Sequence, residues 1–381
     1  MRILLLGEYS RLHNSLKEGL MVHGHEVILV SSGDGFKKYP ADYSIEPKWC
    51  NSKLGNIPRQ IIHKLFQFDI AKIENGIRFY FLLPQLKGFD IVQLINESPI
   101  QTIKKLELSF LKKIVKNNGK LFVLSTGVDY LNVKYILENK TPKSILQPYF
   151  ENPSLKKEYN YVLEYATEKH KKIHDFVYQK CVGIIATDID YLLPLEGNPK
   201  FLGLIPNPIN YKKLTFEELK IEDEIILFLG INQWSYQQKG IAFFEKALAI
   251  IEEKYKDKVA ILIAKNIPYA DYINRYNKAH ILLDQLYGYD QGYNALEAMA
   301  KRKVVFTNAD ALFEKHYHLS EKVAVNAEPD VDYLVQELSF LIENPNEIIA
   351  IGKRARAFIE KEHDYLKIAG KYLEVWNKKI G

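Results

Sequence analysis

Residues 280–305 read HILLDQLYGYDQGYNALEAMAKRKVV, and this stretch decides the fold. Its first apolar run, 281–283, predicts a buried strand, and 285–291 predict a loop. Gly292 then begins a predicted helix, and a second apolar run follows at 304–307. A strand, a loop, a helix and a further strand in this order predict a βαβ unit with parallel strands.

The same alternation runs through the whole chain of 381 residues, of which 47% are hydrophobic. Parallel strands with helices on both faces appear in sequence as short, continuous apolar runs. The predicted strands are 2–6, 25–31, 91–94, 121–125 and 183–187 in the first half, and 225–229, 259–263, 281–283, 304–307 and 323–325 in the second. The predicted helices are 15–23, 100–117, 154–180, 240–254, 293–301, 331–343 and 346–363. The fold class is therefore α/β, with two Rossmann-like domains.

Two domains are predicted because a segment with three prolines, 195–210, separates the two series of strands. The N-terminal domain is predicted over 1–200, with the C-terminal helix 364–381 packed back on it. The C-terminal domain is predicted over 206–363. In open α/β sheets, ligands bind outside the carboxyl ends of the strands, so the expected site is a cleft between the two domains.

Charge and cysteine content restrict the class of protein. The net charge is +5, and residues 51–120 hold 12 basic against 5 acidic residues. This bias predicts either solvated lysine-rich helix faces or a surface that attracts anionic lipid or an acidic acceptor, whereas no nucleic-acid recognition motif accompanies it. The two cysteines, and the lack of a signal peptide or long apolar span, predict a cytoplasmic protein, peripheral on a membrane at most. The aromatic residues among these charges are Phe66, Phe68, Phe79, Tyr80 and Phe81.

The start of the helix at Gly292 is a predicted anion site. Backbone N–H groups in the first turn of a helix lack a partner within the helix and lie at the positive end of its dipole, so they suit a diphosphate. Glu297 lies about one turn further on, and its carboxylate can accept hydrogen bonds from two neighbouring hydroxyls, such as those of a ribose. The segment therefore predicts a nucleotide-binding site.

Residues 292–305 resemble the donor-site segment of family-4-like retaining glycosyltransferases of the GT-B fold, whose usual form is E-G-F-G-L-x-x-x-E-A-M-A-x-G-x-P-V-V. The resemblance extends over most of 200–310. It implies that Glu297 holds the nucleotide ribose. It also places Tyr289 where the family has a first glutamate, which is attributed to the donor sugar or the reaction centre. Asp290, one residue further on, is a carboxylate that a shift of one position would bring there.

Two more elements follow in the family's order. Gly230 at the end of a strand, and Lys239 before a glycine, are similar to the family's strand-glycine and Lys-Gly. The resemblance implies that Lys239 faces the diphosphate and stabilises the leaving group. The family's arginine is replaced by Ile231 or Asn232. The donor-binding residues that the resemblance implies are Gly230, Asn232, Lys239, Tyr289, Gly292, Tyr293, Asn294, Ala295 and Glu297.

Residues for the acceptor side are predicted at strand ends in the first half of the chain. Asp129 is the candidate catalytic group there, together with Lys239 in the second half, because a glycine-containing turn is expected to expose Asp129 to the cleft. Much of the catalysis in a retaining transfer is positioning of the acceptor hydroxyl. We expect no metal and no cofactor beside a nucleotide-sugar donor such as a UDP- or GDP-sugar. The other acceptor-side residues are Gly7, Glu8, Arg11 and Glu97.

The resemblance implies a hexosyltransferase-type enzyme. It would transfer a sugar with retention from a nucleotide sugar to a saccharide or lipid-linked acceptor in cell-surface polysaccharide biosynthesis. One alternative is an epimerase of the GT-B fold, and another is a non-catalytic nucleotide-binding module, suggested by Tyr289 and Asn232. A nicotinamide-dependent oxidoreductase is disfavoured because no GxGxxG follows the first strand, where Gly7 begins the sequence GEYS. A hydrolase is disfavoured because neither GxSxG nor a Cys/His pairing of known spacing occurs.

Overall fold

The computed structural model describes residues 1–139, 141–214, 220–221, 223–265, 267, 269–289 and 291–380. The chain divides into two compact units. Unit 1 comprises Met1–Lys134, Tyr161–Pro208 and Tyr365–Gly381, and unit 2 comprises Tyr135–Asn160 and Ile209–Asp364. These units differ from the predicted domain ranges chiefly over Tyr135–Asn160, which belongs to unit 2 although it lies within the first 200 residues.

Unit 1 is built on a sheet of seven parallel strands in the order β3-β2-β1-β4-β5-β6-β7. Leu4 and Leu5 of the central strand are fully buried, as expected of a parallel sheet that is covered on both faces. The strand order reverses between β1 and β4, where Leu6 lies beside Leu94. The strands are β1 Arg2–Leu6, β2 Glu26–Ser31, β3 Tyr43–Ser44, β4 Ile91–Leu94, β5 Lys120–Ser125, β6 Gly183–Ala186 and β7 Phe201–Leu204.

Seven α-helices lie wholly within the residues of unit 1 that the structure describes. They are α1 Leu12–Val22, α2 Lys53–Phe66, α3 Ala71–Leu82, α4 Lys104–Asn117, α8 Glu168–Lys180, α9 Ile189–Leu192 and α16 Tyr365–Ile380. The C-terminal helix α16 packs on α1 so closely that a Cβ atom on Gly19 would lie 2.4 Å from the carbonyl oxygen of Tyr365. Trp376 of α16 is fully buried, and its ring centroid lies 6.0 Å from that of Phe122 in β5.

Unit 2 is built on five parallel strands in the order β12-β11-β10-β8-β9. Leu229 of β8 lies beside Leu283 of β10 at the point where this order reverses. The strands are β8 Ile225–Ile231, β9 Val259–Lys265, β10 Ile281–Leu283, β11 Val304–Thr307 and β12 Val325–Asn326. The helices are α6 Gln147–Glu151, α10 Ile241–Lys254, α11 Tyr269–Lys278, α12 Tyr293–Ala300, α13 Ala311–Tyr317, α14 Val331–Glu343 and α15 Pro345–Glu362. Helices α5 Tyr130–Asn139 and α7 Lys156–Leu163 each contain a boundary between the two units.

Two sequence predictions of secondary structure were wrong. The helix predicted over 154–180 is broken, because Thr167 caps the start of α8 by accepting a hydrogen bond from the backbone N–H of His170. The linker predicted over 195–210 contains β7, which pairs with β6 and extends the sheet of unit 1. Both errors arise because a polar helix and a short edge strand carry little hydrophobic periodicity.

Candidate functional site

The topology of unit 2 makes the carboxyl ends of its strands a candidate binding site. Strands β8 and β10 lie side by side where the strand order reverses, and ligands of open α/β sheets bind outside the carboxyl ends of such strands. Gly230 lies near the end of β8, and Asp284 directly follows β10. A Cβ atom on Gly230 would lie 2.9 Å from the ring of Tyr272, so this aromatic ring covers the end of β8.

A buried carboxylate lies at these strand ends. Lys239 Nζ donates a hydrogen bond to Asp284 Oδ1 at 2.8 Å, and Asn294 Nδ2 donates to the same oxygen at 3.0 Å. The side chain of Asp284 is 1% exposed, and its Oδ2 has no hydrogen-bond partner among the residues that the structure describes. A buried carboxylate oxygen without a partner is unfavourable, so this oxygen retains hydrogen-bonding capacity that the described residues do not use.

Helix α12 begins at this carboxylate. Gly292 is its N-cap, in an extended conformation and without a side-chain cap. A Cβ atom on Gly292 would lie 3.7 Å from Asp284 Oδ2. The predicted anion site at the helix start is therefore next to a negative charge, and Lys239 is the cation that offsets it. An incoming diphosphate would compete with Asp284 for this ammonium group.

Some residues of helix α12 lie in the core of unit 2, and others face the candidate binding site. Tyr293 and Ala295 are buried in the core of unit 2, so at most their backbone atoms are available to a ligand. Asn294 and Glu297 are half-buried and lie three residues apart, on the same face of the helix. Tyr276 holds this turn by donating a hydrogen bond from its hydroxyl to the carbonyl of Asn294 at 3.1 Å.

Two of the donor-binding residues that the resemblance implies form hydrogen bonds within unit 2. The Tyr289 hydroxyl donates a hydrogen bond at 2.6 Å to the carbonyl oxygen of Pro142, in the segment of unit 2 that precedes α6. Asn232 is exposed, and its Oδ1 accepts a hydrogen bond from the backbone N–H of Trp234 at 3.1 Å, which caps a short 3-10 helix. The possible substitute carboxylate, Asp290, lies outside the described residues.

Gly240 joins Lys239 to helix α10, and replacing it should be costly. Its φ is +65°, and a Cβ atom there would lie 2.5 Å from Leu286 Cδ1. We expect Gly240→Ala to lower the free energy of unfolding of unit 2 by about 2–4 kcal/mol, through backbone strain and overpacking together. The measurement is urea unfolding followed by circular dichroism. Gly24→Ala is the matched control, because its φ is +82° but its Cβ would meet no atom within 4 Å. Equal losses in the two variants would contradict the close packing of Gly240 against Leu286.

In unit 1, the loop after β1 is tightly packed. Gly7 has a φ of +86°, and a Cβ there would lie 2.2 Å from Ile95 Cγ2. The buried carboxylate of Glu8 accepts hydrogen bonds from the backbone N–H groups of His13 at 3.2 Å and Asn14 at 2.8 Å. Burial raises the pKa of Glu8 to about 8, against the lowering effect of its hydrogen bonds. Arg11 pairs with Glu18 at 3.1 Å.

Asp129 is not exposed, contrary to the sequence prediction. It is 1% exposed, and its carboxylate accepts hydrogen bonds from the backbone N–H of Asn132 at 2.8 Å and from the Ser125 hydroxyl. The physical reason is that Asp129 precedes α5 and its carboxylate accepts a backbone hydrogen bond in the first turn of that helix. Burial and the negative charge of Glu97 raise the pKa of Asp129 to about 6.

Glu97 lies at the centre of a buried polar cluster. Its Oε2 accepts a hydrogen bond from His170 Nε2 at 2.8 Å, and its Oε1 accepts one from His174 Nδ1. Both histidines belong to α8. Glu97 is completely buried, so the side chain predicted to face an acceptor binds α8 instead. The two histidines were not predicted, because they lie 73 and 77 positions after Glu97 in the sequence and no local pattern connects residues so far apart.

Solved structures similar to this chain over its whole length provide the comparison. One is sucrose-phosphate synthase from Thermosynechococcus elongatus, with 14% identity and a TM-score of 0.61, over 99% of this chain and 98% of that one. Another is Anabaena HepE in complex with UDP and glucose, with 11% identity and a TM-score of 0.58, over 99% and 100%. A third is UDP-GlcNAc 2-epimerase from Neisseria meningitidis bound to UDP-GlcNAc, with 13% identity and a TM-score of 0.54, over 99% and 100%.

The chain has the GT-B fold. Residues 236–374 of this GT-B chain also match a family model described as glycosyl transferase-like, which covers part of the chain. The matched range includes Lys239, Asp284 and Glu297. No curated protein matches the sequence.

The prediction of metal independence rested on the absence of an Asp-x-Asp motif. That ground was wrong, because the sequence contains two such triplets, 188–190 and 330–332. Both first aspartates are helix caps: Asp188 accepts a hydrogen bond from the backbone N–H of Asp190 at 3.0 Å, and Asp330 accepts one from that of Tyr333 at 3.1 Å. Over the described ranges, no group of three or more His, Cys, Asp or Glu could hold a metal ion. Metal independence stays a prediction. None of the helices in the described part of the chain is long and apolar enough to cross a membrane.

Proposed function

We propose that the protein is a glycosyltransferase that transfers a sugar from a nucleoside diphosphate sugar to a saccharide or lipid-linked acceptor. The observation that carries the proposal is the arrangement of Lys239, Asp284 and the start of helix α12 at the carboxyl ends of β8 and β10. It combines a helix start, a cation and a half-buried carboxylate one turn along the helix. The match of residues 236–374 to a glycosyl transferase-like model supports the same conclusion.

In this proposal each group of the donor has a separate partner. The diphosphate binds the backbone N–H groups at the start of α12, and Lys239 turns from Asp284 to the diphosphate as the donor binds. Glu297 accepts hydrogen bonds from the two ribose hydroxyls. Asp284 Oδ2, which is buried and has no partner among the described residues, accepts one from a hydroxyl of the donor sugar. Asp284 would thereby supply the carboxylate that the resemblance expects at Tyr289.

The reaction needs a leaving diphosphate and a correctly placed acceptor hydroxyl. Lys239 and the α12 dipole stabilise the negative charge that develops as the bond from the anomeric carbon to the diphosphate breaks. The acceptor oxygen then bonds to that carbon, and its proton passes to the leaving group or to solvent. We propose retention of configuration, no metal requirement, and a role in cell-surface polysaccharide biosynthesis on the cytoplasmic side. Turnover should therefore be unchanged by EDTA.

Glu297→Ala tests the ribose contact. Loss of two charge-assisted hydrogen bonds should weaken UDP or GDP binding by about 3 kcal/mol, roughly 100-fold. The measurement is isothermal titration calorimetry, with the nucleotide chosen by its thermal shift on the parent protein. The parent should also bind the 2′-deoxynucleotide more weakly than the ribonucleotide, whereas Glu297→Ala should bind both alike.

Glu253→Ala is the matched control, because Glu253 is an exposed carboxylate on α10. It should bind nucleotide like the parent. If the parent binds the ribo- and 2′-deoxynucleotides equally, Glu297 does not contact the ribose. If no nucleoside diphosphate shifts the unfolding temperature of the parent, the donor site itself is refuted.

An epimerase is the second candidate function. The observation that favours it is the similarity in fold to UDP-GlcNAc 2-epimerase bound to UDP-GlcNAc. An epimerase converts one sugar nucleotide into another. It needs no acceptor and transfers no sugar. Incubation with sugar nucleotides alone, followed by chromatography of the products, separates the two: a new sugar nucleotide would support the epimerase, and acceptor-dependent release of nucleoside diphosphate would support the transferase.

A further inference from the structure

Helix α2 exposes a row of apolar side chains. This row, the α2 row, consists of Leu54, Ile57, Ile61 and Leu65, and all four are more than half exposed. They recur three and four residues apart, so they lie along one side of the helix. Among the residues of α2 that the structure describes, Gly55 alone is buried. The hydrophobic side of α2 therefore faces away from the core of unit 1.

Helix α3 exposes a second row. This α3 row consists of Ile73, Ile77 and Tyr80, with Phe81 beside it. The opposite side of α3 is in the core, where Phe79 is fully buried and its ring centroid lies 5.4 Å from that of Phe110. Phe79 was predicted from sequence to lie among the basic surface residues. In the structure Phe79 is buried, whereas Tyr80 and Phe81 of the same helix are exposed.

Both helices are fixed in place without covering these rows. Arg59 of α2 pairs with Asp69, just before α3, at 2.6 Å. A Cβ atom on Gly55 would lie 2.0 Å from the carbonyl oxygen of Trp49, so the start of α2 is packed closely on the preceding loop. The two rows are therefore exposed although both helices are held in place by other contacts. Exposed apolar residues arranged in rows usually mark a binding surface.

The charge around the rows is positive. Both acidic residues of the segment 53–82 are in ion pairs, Asp69 with Arg59 and Glu74 with Arg78. Lys53 and Lys64 directly precede Leu54 and Leu65 of the α2 row, about 100° away around the helix. On the α3 side, Lys113 of α4 lies with its Nζ 5.5 Å above the ring of Tyr80. Lysines therefore border both rows.

We propose that the α2 and α3 rows dock on the surface of an anionic lipid bilayer. Helices of this kind lie in the membrane interface, with the apolar side in the acyl boundary and lysines extended to the headgroups. Anionic headgroups complement the lysines, and each basic residue near such a surface strengthens binding. A second copy of the chain is a poorer occupant, because it would bring the same lysines together. The assignment does not rest on the proposed function.

Vesicle flotation of the full chain tests the proposal. The probes are phosphatidylcholine vesicles with and without phosphatidylglycerol. We expect the protein to float with the anionic vesicles, to bind neutral vesicles at least about tenfold more weakly, and to be released from anionic vesicles at high salt. A parent protein that stays in the buffer with both kinds of vesicle would refute the proposal.

Two variants identify the surface. The triple variant Ile57→Ser, Ile61→Ser, Leu65→Ser should bind anionic vesicles at least about tenfold more weakly, with an unchanged urea midpoint, because these side chains are exposed. The double variant Lys53→Gln, Lys64→Gln should also bind about tenfold more weakly and lose part of the salt dependence. The control Ile250→Ser, Phe340→Ser removes exposed apolar residues of unit 2 and should bind like the parent.

Three outcomes would assign the rows differently. If the triple serine variant binds vesicles like the parent, another part of the chain binds the membrane. If the control variant loses binding equally, the effect is general hydrophobicity. If light scattering shows a dimer of the parent that the triple variant converts to a monomer, and vesicles do not bind, a second copy covers the rows. Because flotation does not depend on turnover, none of these outcomes bears on the transferase activity.

Discussion

Glu97→Ala should lower the free energy of unfolding of unit 1 by about 3–5 kcal/mol. The carboxylate is completely buried and accepts hydrogen bonds from His170, His174 and the backbone N–H of Tyr130. Truncation to alanine would leave three donors in the core without acceptors and would create a cavity. Because two of these donors belong to α8, we also expect this helix to separate from the end of β4 first. Urea unfolding gives the free energy, and hydrogen exchange identifies the helix.

Glu164→Ala is the matched control for Glu97→Ala. Glu164 is also a carboxylate of unit 1 with two basic partners, Lys72 and Lys104, each at 3.4 Å, but its side chain is 38% exposed. Its loss should change the free energy of unfolding by less than about 1 kcal/mol. A loss of similar size in the two variants would show that burial of Glu97 does not determine its contribution.

The dependence of stability on pH gives a second measurement of Glu97. Burial by itself raises the pKa of Glu97, but hydrogen bonds from His170 and His174 and their charges outweigh it and lower the pKa from 4.5 to about 2. A lowered pKa means that the stabilisation is complete above about 4.5 and is lost as the pH falls towards 2. We expect unit 1 of the parent to lose stability over this range more steeply than Glu97→Ala. Parallel curves would contradict the lowered pKa.

Lys239→Ala should lower kcat by about 100- to 1000-fold, the usual effect of removing one group that stabilises a developing negative charge. No arginine follows Gly230, where Ile231 and Asn232 stand, so Lys239 is the basic residue that we assign to the leaving diphosphate. Its ammonium group is held 2.8 Å from Asp284 Oδ1 before the donor binds. The effect should fall mainly on kcat, because the charge develops in the transition state. Steady-state kinetics with the sugar nucleotide identified by thermal shift measure it.

The control for Lys239→Ala separates catalysis from simple neutralisation of Asp284. Without Lys239, the buried Asp284 retains Asn294 as its hydrogen-bond donor and loses its cation, so some activity could be lost through disorder of the site. The double variant Lys239→Ala, Asp284→Asn removes that buried charge. If the double variant regains parent turnover, Lys239 serves only to neutralise Asp284. The single variant Asp284→Asn measures how much turnover depends on the proposed contact of Asp284 with the donor sugar. If the urea midpoint of the double variant recovers but its turnover is far below that of Asp284→Asn, Lys239 acts on the leaving group.

The inner strands of both sheets and some helix starts, such as those at 293 and 331, could be predicted because their causes are local. A strand covered on both faces must be apolar along its length, so 281–283 and 304–307 were predicted at the bounds that the structure has. Helix α12 likewise begins directly after Gly292, with Glu297 on a half-buried face. Helices α2 and α3 were not predicted, although their apolar residues recur at helical spacing, because no strand was predicted between 31 and 91 to frame them.

By itself the sequence determined the α/β class, the alternation of strands and helices, and the position of the helix that begins at residue 293. Only the tertiary structure decided which distant side chains meet. It brings Lys239 to Asp284 across 45 positions and encloses Glu97 between two histidines of α8. The reason is physical: periodicity and capping depend on neighbours a few residues apart, whereas burial of a charge depends on every element packed around it. For the same reason Asp129, placed at a turn by sequence, became a buried cap in the fold.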